Sequence, residues 1–162
     1  MNRNILFVVA EAGSSAFCVP LWRKWLANPP DFSWRVIADP EAFKIIQREN
    51  LHHAQQMRAW NSKNSIPEAV GAARPDLIIS SATYSTMEVK LGLYAQKNKI
   101  PRIQFLDTFY DSQNRIRASN KQTNLPEHIL VVHDAVKNKL ISQNFPESKI
   151  CVVGHPVWEM AL

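Results

Sequence analysis

The sequence predicts an α/β fold: a doubly wound, mostly parallel, Rossmann-like sheet of six or seven strands in a single domain. Three observations predict it. Short apolar runs such as "ILFVVA" at 5–10 and "DLIIS" at 76–80 alternate along the chain with helical patterns, as they do where β-α units feed a parallel sheet. The runs lack apolar–polar alternation, which fits strands buried on both faces. The 162 residues, 46% of them hydrophobic, suit one domain with its own core.

Each element has its own warrant. The run 5–10 is the first strand. Phe17, Leu21, Trp22, Trp25 and Leu26 follow at helical spacing, with Pro20 interrupting the pattern and expected to kink it. "SWRVIA" (33–38) is the second strand. Asp39 then reads as a helix cap and Pro40 as the first helical position, a start signal for "DPEAFKIIQREN". The stretch 51–61 fits either a loop or a short strand around "QQMRAW". "SIPEAVGAARP" reads as a helix ending before Pro75, 76–80 as a strand, and "STMEVKLGLYAQKNK" as a helix capped by Ser85. Residues 102–106 are a strand. Residues 107–124 read as a polar loop, long for a compact domain and of the length that tends to carry function. The strand 128–132, a helix capped by Asp134 and the strand 149–153 complete the pattern.

Composition narrows the function classes. The net charge is +5, but the Lys and Arg are scattered and form no basic stripe, so the surface reads as solvated rather than as a nucleic-acid interface. The apolar run near the amino terminus is too short for a signal segment or a membrane span, which predicts a soluble, cytoplasmic protein. Cys18 and Cys151 read as reduced core residues without metal-ligand spacing. No metal and no cofactor is expected.

In an open parallel sheet, ligands bind beyond the carboxyl ends of the strands, so the segments that follow the strands are the candidate site. Gly13, Ser14 and Ser15 follow the first strand. Gly13 permits close backbone approach, and the two serines open a helix whose free N–H groups suit an anion or whose hydroxyls simply cap it. Thr83 and Tyr84 follow 76–80 and offer hydroxyls to a ligand. Ser85 and Glu88 match a capping box, which accounts for both without function. Asp107, at the end of 102–106, reads as a general base towards a hydroxyl or as a turn cap. Arg115 and Arg117 read as solvent-facing charges or as clamps for a phosphate or carboxylate. His155 sits in the Gly154-His155-Pro156 turn after the last strand.

Two segments resemble a known family. "ARPDLIISSATYSTMEVKLGLYAQKNKIPRIQFLDTFY" is similar to a stretch of the N-terminal domains of GT-B-fold glycosyltransferases and UDP-N-acetylglucosamine 2-epimerases. "LPEHILVVHDAVKNKLISQNFPESKICVVGHPVWE" resembles the segment that leads to their interdomain hinge. The resemblance covers 74–159 and, more loosely, 1–50. It implies that residues 1–156 form the N-terminal-type domain and that 157–162 begin the hinge to a second domain. In this family the second domain mainly binds the nucleotide-sugar donor, and the first supplies the acceptor side with a catalytic carboxylate or histidine. The implied function is the acceptor-side half of a glycosyltransferase, inactive without a donor-binding partner domain or chain. Asp107 would be its base, Arg115 or Arg117 its arginine, and a sugar or glycolipid its acceptor. Self-association through the hinge face, around Val157 and Trp158, is a further expectation. Where the epimerases carry an acidic residue, this chain has Ser81-Ala82-Thr83, which counts against epimerase chemistry. The alternative is a stand-alone Rossmann-like module binding a nucleotide or small anion without catalysis.

Overall fold

A computed structural model describes residues 3–60, 66–70, 74–121 and 123–159. It contains one seven-stranded sheet of order β3-β2-β1-β4-β5-β6-β7, with every neighbouring pair parallel. In chain order the elements are β1 (Asn4–Val9), α1 (Ala12–Ala27), β2 (Ser33–Ala38), α2 (Pro40–Arg48), β3 (Met57–Ala59), α3 (Ile66–Val70), β4 (Leu77–Ser81) and α4 (Thr86–Lys97). They continue as β5 (Arg102–Phe105), α5 (Ser112–Asn120), β6 (His128–Val131), α6 (Asp134–Ser142), β7 (Ile150–Val152) and α7 (Pro156–Glu159).

The doubly wound expectation holds, at the upper strand count. The central strand β1 shows why. Phe7 and Val9 enter a core cluster with Phe17 and Trp22 of α1 and Ala42 and Ile46 of α2. The alternate residues Leu6 and Val8 enter a second cluster with Val70 of α3 and Met87 and Leu91 of α4. Both faces of β1 are therefore apolar, and the strand can exist only between two helix layers. Trp22 is fully buried and meets Phe7 edge-on at 5.9 Å.

Local start signals act as the sequence implies. The Asp39 carboxylate accepts a hydrogen bond from the Glu41 N–H at 3.2 Å, and Pro40 opens α2. Ser85 caps α4 by accepting from the Met87 N–H. The ambiguous segment contains the short strand β3 on the sheet's edge. Helix α1 runs unbroken through Pro20.

Four expectations need correction. The polar stretch 107–124 is not one loop, because α5 forms within it. The residues α5 buries, Ser112, Ile116, Ser119 and Asn120, recur at helical spacing, but only Ile116 is apolar, so hydrophobic periodicity could not reveal it. The cap of α6 is His133, whose Nδ1 accepts from the Ala135 N–H at 3.0 Å; Asp134 is the first helical residue. Ser14 and Ser15 do not cap α1. They lie within its first turn, and the cap position is Glu11. Ser85 and Glu88 do not form a capping box: the Ser85 N–H donates to Thr83 Oγ1, and the Glu88 side chain points inward. Of the helix expected over 65–75, the part Ile66–Val70 is helical; Arg74, with φ 34°, and Pro75 are not helical, and residues 65 and 71–73 lie outside the described residues, as does the Trp158 side chain.

Candidate active site

The segments that follow β1, β4, β5 and β7 meet at the carboxyl rim of the sheet. Glu11 adopts an extended conformation (φ −131°, ψ 155°) and turns the chain from β1 into α1. Gly13 follows within the first helical turn. Its need for a bare Cα is one of space: a Cβ there would lie 2.9 Å from Asp107 Oδ2. One residue on, the buried Ser14 donates its hydroxyl to the same oxygen at 3.3 Å. The first turn of α1 is thus fitted around the Asp107 carboxylate. Ser15 Oγ is also buried and has no hydrogen-bond partner.

Asp107 stands at the end of β5. Burial pushes its carboxyl above the usual aspartate range. The Arg115 guanidinium works against this, and the nearby Glu11 charge adds to it. Arg115 leaves α5 towards the same place, and its Nη1 meets Glu11 Oε2 at 2.8 Å. It also lies over the Tyr84 ring, 5.7 Å from the centroid, a cation–π geometry. The Tyr84 hydroxyl donates to Asp111 Oδ2. Asp111 occupies the left-handed region (φ 54°) and begins α5, conformation and position both suited to a short polar side chain. Two carboxylates, one guanidinium and one phenol therefore connect three loops in a single chain of contacts.

A buried polar network holds α5, and with it Arg115, on the sheet. The Asn120 amide donates to Gln104 Oε1 at 2.6 Å and accepts from Arg102, while Gln104 Nε2 donates to Ser119 Oγ at 3.1 Å and to the Ser81 carbonyl. A second buried contact links β1 to β4, where Ser81 Oγ accepts from the Ala10 N–H and donates to Glu88 Oε1 at 2.9 Å. Glu88 is fully buried, and burial pushes its carboxyl up to about 8 against the opposing pull of Ser81, Ser80 and Arg102. Sequence reasoning set Glu88 aside as part of a cap. The seven-residue spacing from Ser81 at a strand end to Glu88 on the following helix was the only signal available.

Of the sequence-predicted residues, the structure brings together Gly13, Ser14, Asp107, Arg115 and Tyr84. Thr83 is buried, and its hydroxyl serves the turn by accepting from the Ser85 N–H at 3.1 Å. Ser15 lies beneath the rim. His155 follows β7 and packs edge-on against Phe17 at 5.0 Å, and Phe17 stacks on Phe105 at 5.1 Å, so the last turn reaches the first helix. Arg117 is not part of the cluster: its guanidinium lies over the Phe145 ring, 5.8 Å from the centroid, beyond α6.

Three clefts among the described residues lie towards the amino ends of the strands. At the carboxyl rim Tyr84, Phe109 and Tyr110 stand exposed, Tyr110 at 85%. An acid raised by burial, a guanidinium and several hydroxyls can together accept a proton from a hydroxyl and hold an anionic group.

No family model and no curated protein matches the chain. Solved structures do. A UDP-GlcNAc 2-epimerase from Neisseria meningitidis, bound to UDP-GlcNAc, superposes with TM-score 0.65 at 15% identity over 95% of this chain and 47% of its own. Another UDP-N-acetylglucosamine 2-epimerase gives 0.65 at 13% identity, covering 96% and 47%. MurG from Acinetobacter baumannii gives 0.55 at 14% identity, covering 94% and 45%. The chain thus spans about half the length of the structures it matches. At these identities the likeness is one of fold. The chain has the Rossmann-like α/β fold seen in GT-B proteins, and the coverage fits an N-terminal half.

Proposed function

We propose that the chain is the acceptor-side half of a GT-B-type glycosyltransferase, acting with a donor-binding second half carried by a further domain or a separate polypeptide. In this reading residues 1–156 are the N-terminal domain and 157–162 begin the hinge. The observation that carries it is the polar cluster on an exposed rim. Asp107, Glu11, Arg115 and Tyr84 converge where Tyr84, Phe109 and Tyr110 stand exposed, and the structures the chain matches are about twice as long. Asp107 is the general base that takes the proton of an acceptor hydroxyl, because burial makes its carboxylate more basic than an exposed one. Arg115 orients an anionic part of the acceptor or donor. The reaction belongs in the cytoplasm, where Cys18 and Cys151, both unpaired, stay reduced.

The test is reconstitution. The purified 162-residue chain is assayed for transfer from UDP-sugars and for UDP-sugar hydrolysis, alone and with the polypeptide encoded directly after codon 162. The expected result is silence alone, activity in the mixture, and loss of that activity with Asp107→Asn. Turnover by the isolated chain, or a mixture indifferent to Asp107→Asn, would overturn the reading.

A further inference from the structure

Tyr84 lies between β4 and α4, and two contacts fix its ring. The hydroxyl donates to Asp111 Oδ2, and the Arg115 guanidinium stands over one face, 5.7 Å from the centroid. The residue is nevertheless 52% exposed, so its free surface is the other ring face. The sequence offers this hydroxyl to a ligand, but Asp111 already engages it. What the side chain presents to solvent is an apolar plane. A plane held in place beforehand loses little freedom when a ligand packs on it.

The polar groups around the plane set the charge of that ligand. Asp111 also accepts from the Asn114 amide at 2.6 Å. The Tyr84 hydroxyl holds the Asp111 carboxyl below the usual aspartate range, so it is ionised at neutral pH. Glu11 and Asp107 are the neighbouring carboxylates. Against them stand Arg115, which is paired with Glu11 at 2.8 Å, and Lys139, whose charge reaches Asp111. A phosphate brought to this plane would meet carboxylates, and such like-charge meetings are costly. A neutral molecule with hydroxyl groups escapes that cost: each hydroxyl can donate to a carboxylate and accept from an amide. An apolar plane with such an edge matches a pyranose, whose ring C–H groups pack flat on an aromatic face while its hydroxyls point outward.

We propose that the exposed face of Tyr84 is the stacking platform for an uncharged pyranose ring, with Asp111 and Asn114 binding its hydroxyls. Resting on the transferase reading, this makes the acceptor a neutral sugar and leaves the anionic group that Arg115 orients to the donor.

Methyl pyranosides of glucose, galactose, mannose and N-acetylglucosamine are the probes. They are offered to the full chain beside UMP in saturation-transfer NMR, with amide shifts recorded alongside. At least one glycoside should receive saturation at its ring C–H protons, with protein shifts concentrated at 83–85 and 110–115. Tyr84→Ala should weaken that binding about tenfold, whereas Tyr84→Phe, which keeps the plane, should retain most of it. Tyr84 is exposed, so circular dichroism of both variants should match the parent. Saturation of none of the glycosides, affinity unchanged in Tyr84→Ala, or UMP bound at 83–85 in their place would overturn the proposal. The donor half takes no part in this measurement. A chain that binds a glycoside at Tyr84 but stays inactive on reconstitution keeps the platform and loses the transferase; transfer without such binding does the reverse.

Discussion

Replacing Glu88 with glutamine should stabilise the protein, by an amount that depends on pH. Glu88 is fully buried on α4, with Oε1 bonded to Ser81 and Oε2 without a partner. Burial raises its carboxyl from 4.5 to about 8. At neutral pH the folded protein therefore keeps a proton that the unfolded chain releases. The folded state binds more protons throughout that window, so stability falls as pH rises from 4.5 to about 8 and levels off above it. Each pH unit within it is worth about 1.4 kcal/mol, so at pH 7 this one group costs about 3 kcal/mol relative to acid conditions. Glutamine keeps the shape, can still accept from Ser81, and carries no ionisation cost. Urea unfolding of parent and Glu88→Gln between pH 4.5 and 8.5 reads the difference directly. The two stabilities should coincide at the acid end and separate steadily towards pH 8. The contrary case is an ionised Glu88 paired with Arg102. Its removal would strand a buried guanidinium and cost roughly 3–5 kcal/mol. A variant less stable than the parent at pH 7, or a gap that does not change with pH, would refute the reasoning.

Three further outcomes follow from the geometry. Arg115→Gln should push the Asp107 carboxyl still higher, because Arg115 is the main group holding it down; a carboxyl NMR titration whose midpoint stays put would contradict this. Gly13→Ala should leave the melting temperature nearly unchanged, since the helical gain of about 0.5–1 kcal/mol offsets the new contact with Asp107. It should nevertheless displace that carboxylate from Ser14, seen as a change in the Asp107 carboxyl resonance. Trp22→Ala removes a fully buried ring packed on Phe7 and should cost about 3–5 kcal/mol in urea unfolding.

Much of the fold was legible in the sequence because its strands are buried on both sides. Runs such as 5–10 and 76–80 carry their own evidence of a parallel sheet, and Asp39-Pro40 and Ser85 mark helix starts by chemistry that acts within three residues. The strand-end rule then placed Gly13, Ser14, Asp107, Tyr84 and Arg115 at one rim, where the structure brings them together. What was missed shares one cause. Helix α5 hides its inward face because Ser112, Ser119 and Asn120 replace apolar residues there, and the partners that make this favourable, Gln104 and Arg102 on β5, are remote in sequence. Glu88 was misread for the same reason. A capping box and a buried acid look identical over four residues, and only the packing of α4 against Ser81 separates them. Arg117 failed in the opposite sense: it is two residues from Arg115, and on a helix that interval turns the side chain about 200° away, towards Phe145.

The electrostatics of the rim explain why a facing wall would matter to its chemistry. In the open rim, burial is the largest influence on Asp107 and the Arg115 charge the second. Removing water from above strengthens both, since desolvation raises a carboxyl while a cation within a lower dielectric lowers it more steeply. Glu11 enters the balance, because it already meets Arg115 at 2.8 Å. While that pair is intact, part of the guanidinium's field is cancelled and Asp107 stays raised. An anionic group that drew Arg115 away from Glu11 would leave a second carboxylate charge uncancelled beside Asp107, which raises the Asp107 carboxyl further. An anion that met Arg115 would therefore act on the Asp107 carboxyl through a single ion pair.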